Sequence, residues 1–173
     1  MRAFWAILAL VACLGLEVLL GNLYPGGLGW IDLMLLPVAW YGIRGEARLA
    51  MFVGSAAGLL QDAWFQAGIL GFNGFKKTFL AWAVGTLGAR FELNRRWIHP
   101  AVGALLAVAD EWIGFGLLLL LQQRVPPPQG GPTALRALVS GLLVALIFVI
   151  FDRGRGEGAA RRPRSRPAGR PFG

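Results

Sequence analysis

The segment GLLQDAWFQAGILGFNGFKKT, residues 58–78, joins two apolar runs and carries an aspartate and two adjacent lysines, Asp62, Lys76 and Lys77. The runs on either side are greasy enough for the interior of a bilayer, where a charged side chain near the middle of a helix costs ~2.5–3.5 kcal/mol. The segment reads as the end of one helix, the turn AWFQAGI, and the start of the next. Its three charges therefore need partners, and the question is which.

The rest of the chain agrees with a membrane setting. It has 173 residues, 56% of them hydrophobic and only 15% charged, with a mean hydropathy of +0.58. Soluble domains carry about a quarter charged residues. Six apolar segments are expected, at about 3–21, 28–43, 49–64, 70–89, 98–121 and 134–151, of which the second and third are short for a bilayer. This predicts an all-α integral membrane domain over residues 1–152 with six transmembrane helices, followed by a disordered Arg/Pro/Gly-rich tail, 153–173. The first segment is long, contains Glu17 and lacks an A-x-A site, so it is expected to be a retained helix rather than a signal peptide.

Basic residues set the expected orientation. With the N-terminus inside, Arg2, Arg44, Arg48, Arg90, Arg95, Arg96 and the seven arginines from Arg153 to Arg170 face the cytoplasm, against Arg124 and Arg136 outside. Thirteen against two places both termini in the cytoplasm. Trp5, Trp30, Trp40, Trp64 and Trp97 fall near helix ends, as an interfacial belt does. The tail reads as a solvated topology anchor or an arm for anionic lipid; without interleaved aromatics it does not read as a nucleic-acid arm.

Several chemistries find no support. Cys13 is alone and His99 is the single histidine, so an intramolecular disulfide, a cysteine-rich metal site and the usual multi-histidine metal sites are excluded, and no phosphate loop is present. No cofactor is expected. Ser55 and His99 lack any oxyanion-hole signal nearby; Ser55 reads as a small packing residue and His99 as an interfacial one.

Gly54, Gly58 and Asp62 lie at i, i+4 and i+8, on one side of the third helix, with Gln61 beside them. GSAAG is a small-xxx-small surface at which backbones approach closely. Lys76 and Lys77 diverge by about 100° on the fourth helix, ~9–10 Å below its outer end. One is expected to face inward, toward Asp62, Glu17 or Asp32, and the other to snorkel or meet another protein. Asp110 and Glu111, about 12 residues into the fifth segment, read first as hydrogen-bonded glue, with a proton relay, a polar pocket or a salt bridge to a lysine as alternatives.

Three stretches together, WIDLMLLPVAWYGIRGE (30–46), FVGSAAGLLQD (52–62) and GILGFNGFKKT (68–78), resemble the MreD family of rod shape-determining proteins. The family pattern is a polar residue opening an apolar second helix, a short charged turn, a G-x-x-x-G-x-x-x-D third helix and a Leu-Gly turn. Here these are Asp32, Arg44–Arg48, Gly54–Gly58–Asp62 and Leu70–Gly71, with Asn73 just after. The resemblance covers residues 30–80.

The resemblance implies a non-catalytic scaffold of the bacterial cytoplasmic membrane that helps organise peptidoglycan synthesis. Its implied partners are MreC, which has one membrane helix and a periplasmic domain, the MreB cytoskeleton, and RodA with its penicillin-binding transpeptidase. A more distant resemblance, to the six-helix substrate-binding subunits of energy-coupling-factor vitamin transporters, supplies the expected helix arrangement. It also supplies a rival function, a ligand pocket lined by Asp32, Lys76, Asp110 and Glu111. In such subunits an Ala-x-x-x-Ala surface on the first helix docks the transport partner, whereas Ala3, Ala6, Ala9 and Ala12 here run at spacing three.

Overall fold

The computed structural model describes residues 2–23, 32–65, 69–91, 97–123 and 125–159, with side chains from Phe4 to Ile150. Six α-helices follow one another: α1 (Arg2–Leu23), α2 (Leu35–Ile43), α3 (Ala47–Phe65), α4 (Phe72–Arg90), α5 (His99–Leu120) and α6 (Gly130–Ala159). Among the described residues there is no strand.

Three of the helices are long and apolar enough to cross a membrane, at Phe4–Leu23, His99–Leu120 and Gly130–Ile150. The other three differ for identifiable reasons. α2 has nine residues, so it rises only about 14 Å. α3 and α4 have 19 residues each, about 28 Å, but both are diluted by charged and polar side chains. α6 continues past the expected boundary at Asp152 to Ala159, and the remainder of the basic segment, 160–173, lies outside the described residues.

α2 is the centre of the bundle. Leu35, Leu36, Val38, Ala39, Tyr41 and Ile43 are all buried, so the helix is apolar on every side. It touches every other helix, while α3, α4, α5 and α6 pack in sequence order around it and α1 lies against α2 and α3. One core cluster joins α2 to α4, α5 and α6 through residues such as Leu36, Leu80, Leu106 and Phe148. A second joins α1, α2 and α3 through Ala6, Leu10, Val38, Val53 and Ala57.

The exterior is the reverse of a soluble protein's. Phe4, Ile7, Val11, Phe52, Trp64, Phe79, Trp82, Leu105, Trp112, Leu142 and Ile150 are all exposed, whereas Asp32, Asp62, Lys76, Lys77 and Asp110 are buried. Charges inside and large apolar side chains outside suit a protein solvated by lipid. Of the expected aromatic belt, Trp5, Trp64 and Trp97 are exposed, Trp40 is packed 4.6 Å from the Phe148 ring, and Trp30 lies outside the described residues.

Candidate functional site: a buried charge cluster

The closest helix pair is α3 with α4, and its seam is the small-residue face of α3. A Cβ on Gly54 would lie 2.5 Å from the Lys77 carbonyl oxygen, and one on Gly58 would lie 2.3 Å from that of Asn73. Only hydrogen fits at either position. The surface that marks α3 as a packing helix is thus consumed within the chain, against α4.

At the end of that seam stands Asp62, 3% exposed. Its Oδ2 accepts hydrogen bonds from the backbone N–H groups of Gly71 at 2.9 Å, Asn73 at 3.1 Å and Gly74 at 3.3 Å, while Oδ1 accepts one from Asn73 Nδ2 at 2.7 Å. The first turn of any helix leaves N–H groups without partners and carries a partial positive charge. Gly71, the residue before α4, has a left-handed φ of 93° and brings no side-chain cap of its own. Asp62 supplies the cap from the neighbouring helix.

Of the partners expected for an inward-facing lysine, Asp32 is used and Asp62 is not. Asp62 makes no contact with either lysine; its acceptors are taken by the start of α4. Lys76 and Lys77 are both buried, at 7% and 0% exposure, and neither snorkels. The 100° between them is resolved by two partners on two elements flanking α4. Lys77 Nζ donates to Asp32 Oδ2, in the turn that leads into α2. Lys76 Nζ donates to Asp110 Oδ2 of α5 at 3.0 Å. Lys76 passes beside Gly114, one turn beyond Asp110, where an added Cβ would meet Lys76 Nζ and Cδ at 3.4 Å, an ordinary van der Waals contact.

Three further side chains complete the cluster. Arg136 of α6 places Nη2 3.5 Å from Asp110 Oδ2 and 3.9 Å from Asp32 Oδ2, bridging the two pairs. Gln61 of α3 donates to Glu17 Oε1 of α1 at 2.7 Å and to Asp32 Oδ1 at 3.3 Å. Asp32 Oδ1 also accepts from the Met34 N–H at 3.0 Å, which turns the chain into α2. Glu17, Asp32, Gln61, Lys76 with Lys77, Asp110 and Arg136 therefore bring one contribution from each of α1, α3, α4, α5 and α6 and one from the turn before α2.

Three carboxyl groups meet three basic side chains, with the neutral Gln61 between Glu17 and Asp32, so the charges of the cluster can balance. That balance is what makes it tolerable in a low-dielectric interior. Glu111, next to Asp110, is half-buried, and its Oε2 has no hydrogen-bond partner among the protein groups. It is not part of the pairing, as the angular divergence from Asp110 requires.

Arg136 and Gln61 were not singled out as cluster members by the sequence reading. A cation within the first two turns of an apolar helix, and a carboxamide beside the capping aspartate, were the available signals. Ser55 and His99 belong to α3 and α5, which are not neighbours in the bundle, and the His99 ring stacks on Phe148 at 3.9 Å. Among the described residues no group of His, Cys, Asp and Glu side chains is arranged to hold a metal ion.

No protein-family model, curated protein or solved structure matches this chain.

Proposed function

We propose that this chain is a six-span scaffold of the bacterial cytoplasmic membrane, of the MreD type. It would hold an MreC-like single-pass protein within the cell-shape machinery, with both termini in the cytoplasm. The observation that carries the reading is the α3–α4 unit. Apart from Asp32 and the Arg44–Arg48 turn, the residues that resemble the family, Gly54, Gly58, Asp62, Leu70–Gly71 and Asn73, fall in one stretch of the fold, and five of them have a single joint task. Gly54 and Gly58 let α4 approach, Asp62 caps it, and Gly71 and Asn73 present the capped N–H groups. A motif spent on architecture, with its neighbouring charges paired inside the bundle, supports a scaffold over a reactive site.

The same unit makes a six-span arrangement physically reasonable. α3 and α4 bury their polar side chains against each other and against α2 and α5, leaving Phe52, Leu59, Phe75, Phe79 and Trp82 outward. The short α2 is enclosed by the others, so its own length need not match the bilayer.

The test is co-purification from the native bacterium at natural expression, after gentle solubilisation, with identification of what remains bound. A single-pass protein with a large periplasmic domain, together with cell-wall synthases, is the expected outcome. Recovery of an ATPase pair with a second polytopic subunit would replace the scaffold reading with the transporter one.

A further inference from the structure

The α3–α4 pair has an inner side, where both helices meet α2, and an outer side turned away from it. On α3, Ala50, Val53 and Ala57 pack inward with α1 and α2, while Gly54 and Gly58 form the seam with α4. At 100° per residue, Arg48, Phe52 and Leu59 lie within about 40° of one another, roughly 100–140° beyond the seam on the outer flank. On α4 the seam runs through Ala81 and Gly85, and Val84 turns inward against Gly42. Trp82, Phe79 and Arg90 lie roughly 80–160° beyond that seam, on the side opposite Val84. All six side chains are exposed.

The two arginines stand at one end of this face. Ala47 packs against Gly85, so Arg90 lies about 8 Å further along the bundle than that contact, and Arg48 just inside it. Helical side chains tilt toward the N-terminus of their own helix. The two helices run in opposite directions, so Arg48 reaches away from the bilayer and Arg90 reaches back toward it, and the guanidinium groups approach one level. Among the described residues neither arginine has an ion-pair partner. Glu46, two residues before Arg48, falls on the inner flank by the same rotation and does not offset them.

From this end the apolar strip runs about eleven residues along each helix, from Arg48 to Leu59 and from Arg90 to Phe79. That is ~16 Å, against ~15 Å for half of the hydrocarbon core. The opposite end of the same side has no exposed cation among the described residues, because Lys76 and Lys77 are spent on Asp110 and Asp32. The face therefore has the polarity of one lipid molecule: positive charge at the surface, then apolar side chains to the depth of one leaflet.

We propose that the outer α3–α4 face seats an anionic phospholipid of the cytoplasmic leaflet. Its phosphate lies between Arg48 and Arg90, and an acyl chain runs along Phe52, Leu59, Phe79 and Trp82. Guanidinium groups suit this task because their planar set of donors matches phosphate oxygens. A zwitterionic headgroup brings its own cation, which competes with the arginines for the phosphate. The inference depends on the membrane setting and on the orientation proposed above, and it holds for a scaffold and for a transporter subunit alike.

The experiment places the full chain in phosphatidylcholine nanodiscs with a trace of photoactivatable phosphatidylglycerol or, in a parallel sample, phosphatidylcholine with the same acyl-chain probe. Mass spectrometry maps the adducts. At residues 52, 59, 79 and 82, phosphatidylglycerol adducts are expected to exceed phosphatidylcholine adducts about fivefold or more, since each basic side chain at an anionic surface contributes a factor of about five. Leu19, exposed on α1 toward its other end, should show no preference. Arg48→Gln and Arg90→Gln should each reduce the preference, and the double variant should abolish it, with melting temperature as the check on folding. Equal labelling by the two lipids in the unaltered chain overturns the site. So does a preference that survives in the double variant, which assigns the selection to other basic residues such as those of the tail. Displacement of the phosphatidylglycerol adducts by soluble glycerophosphate overturns the lipid as the ligand in favour of a free phosphate ester.

Discussion

Lys76 Nζ lies 3.0 Å from Asp110 Oδ2, with the two side chains 9% and 1% exposed. Removing one partner strands the other, whereas removing both strands neither. Lys76→Met alone and Asp110→Leu alone are each expected to destabilise the protein by ~3–5 kcal/mol. The double variant should recover most of that loss. Thermal unfolding in a mild detergent, read as a double-mutant cycle, measures the difference. Equal and additive losses would mean that the two groups are not coupled. Arg136, 3.5 Å from the same Asp110 oxygen, softens the loss in Lys76→Met, so Asp110→Leu is expected to be the worse of the two.

The Asp62 carboxylate is a different device and fails differently. It binds backbone N–H groups, so its loss leaves the α4 terminus without a cap and strands no charged side chain. A capping residue contributes ~1–2 kcal/mol, and Asp62→Ala is expected to cost about that or slightly more. Asp62→Asn keeps one acceptor oxygen and should cost less than half as much. Hydrogen exchange at Asn73 and Gly74 is the direct readout, expected to rise in Asp62→Ala while exchange in α5 stays unchanged.

Much of this arrangement was legible in the sequence. The stretch 58–78 announced a helix, a turn and a second helix, and the spacing of Gly54, Gly58 and Asp62 announced a common face. The divergence of Lys76 from Lys77 correctly implied that one partner could not serve both. Asp32 and Asp110 were both among the candidate partners, but the choice between them and the others was not legible. Asp62 is nearest in sequence and lies at the same end of the bundle, yet the orphaned N–H groups of α4 are closer claimants than any ammonium. Asp32 and Asp110 reach the lysines from positions 45 and 34 residues away, and nothing local encodes that α2 and α5 flank α4.

Exposure to salt separates a buried network from a surface one. Ions screen exposed charges strongly and buried pairs weakly. Lys77 is 0% exposed and Asp32 7%. Raising ionic strength from about 0.05 to 1 M, a change that shortens the screening length from roughly 14 to 3 Å, is expected to leave the melting temperature within ~2 °C. A large fall would show that the charges are reached by solvent and that the cluster opens at the bundle end.

Glycine substitutions test whether the α3–α4 seam is as tight as its geometry states. A methyl group on Gly58 would sit 2.3 Å from the Asn73 carbonyl oxygen and 2.4 Å from its carbonyl carbon, both backbone atoms that cannot rotate aside. Gly116, in the middle of the apolar run of α5, has no atom within 4 Å of the same added carbon. In a helix interior, Gly→Ala by itself gains about 0.5–1 kcal/mol. Gly116→Ala should therefore be neutral or slightly stabilising. Gly58→Ala should push α4 away from α3, lengthen the hydrogen bonds to Asp62 and cost more than ~2 kcal/mol, in the range of other overpacking changes. Because the displaced segment includes Asn73 and Gly74, Gly58→Ala should also weaken the cap, and its loss combined with Asp62→Ala should be less than the sum of the two. Melting temperatures of the single and double variants decide this. A Gly58→Ala protein as stable as Gly116→Ala would mean that α3 and α4 are farther apart than described here.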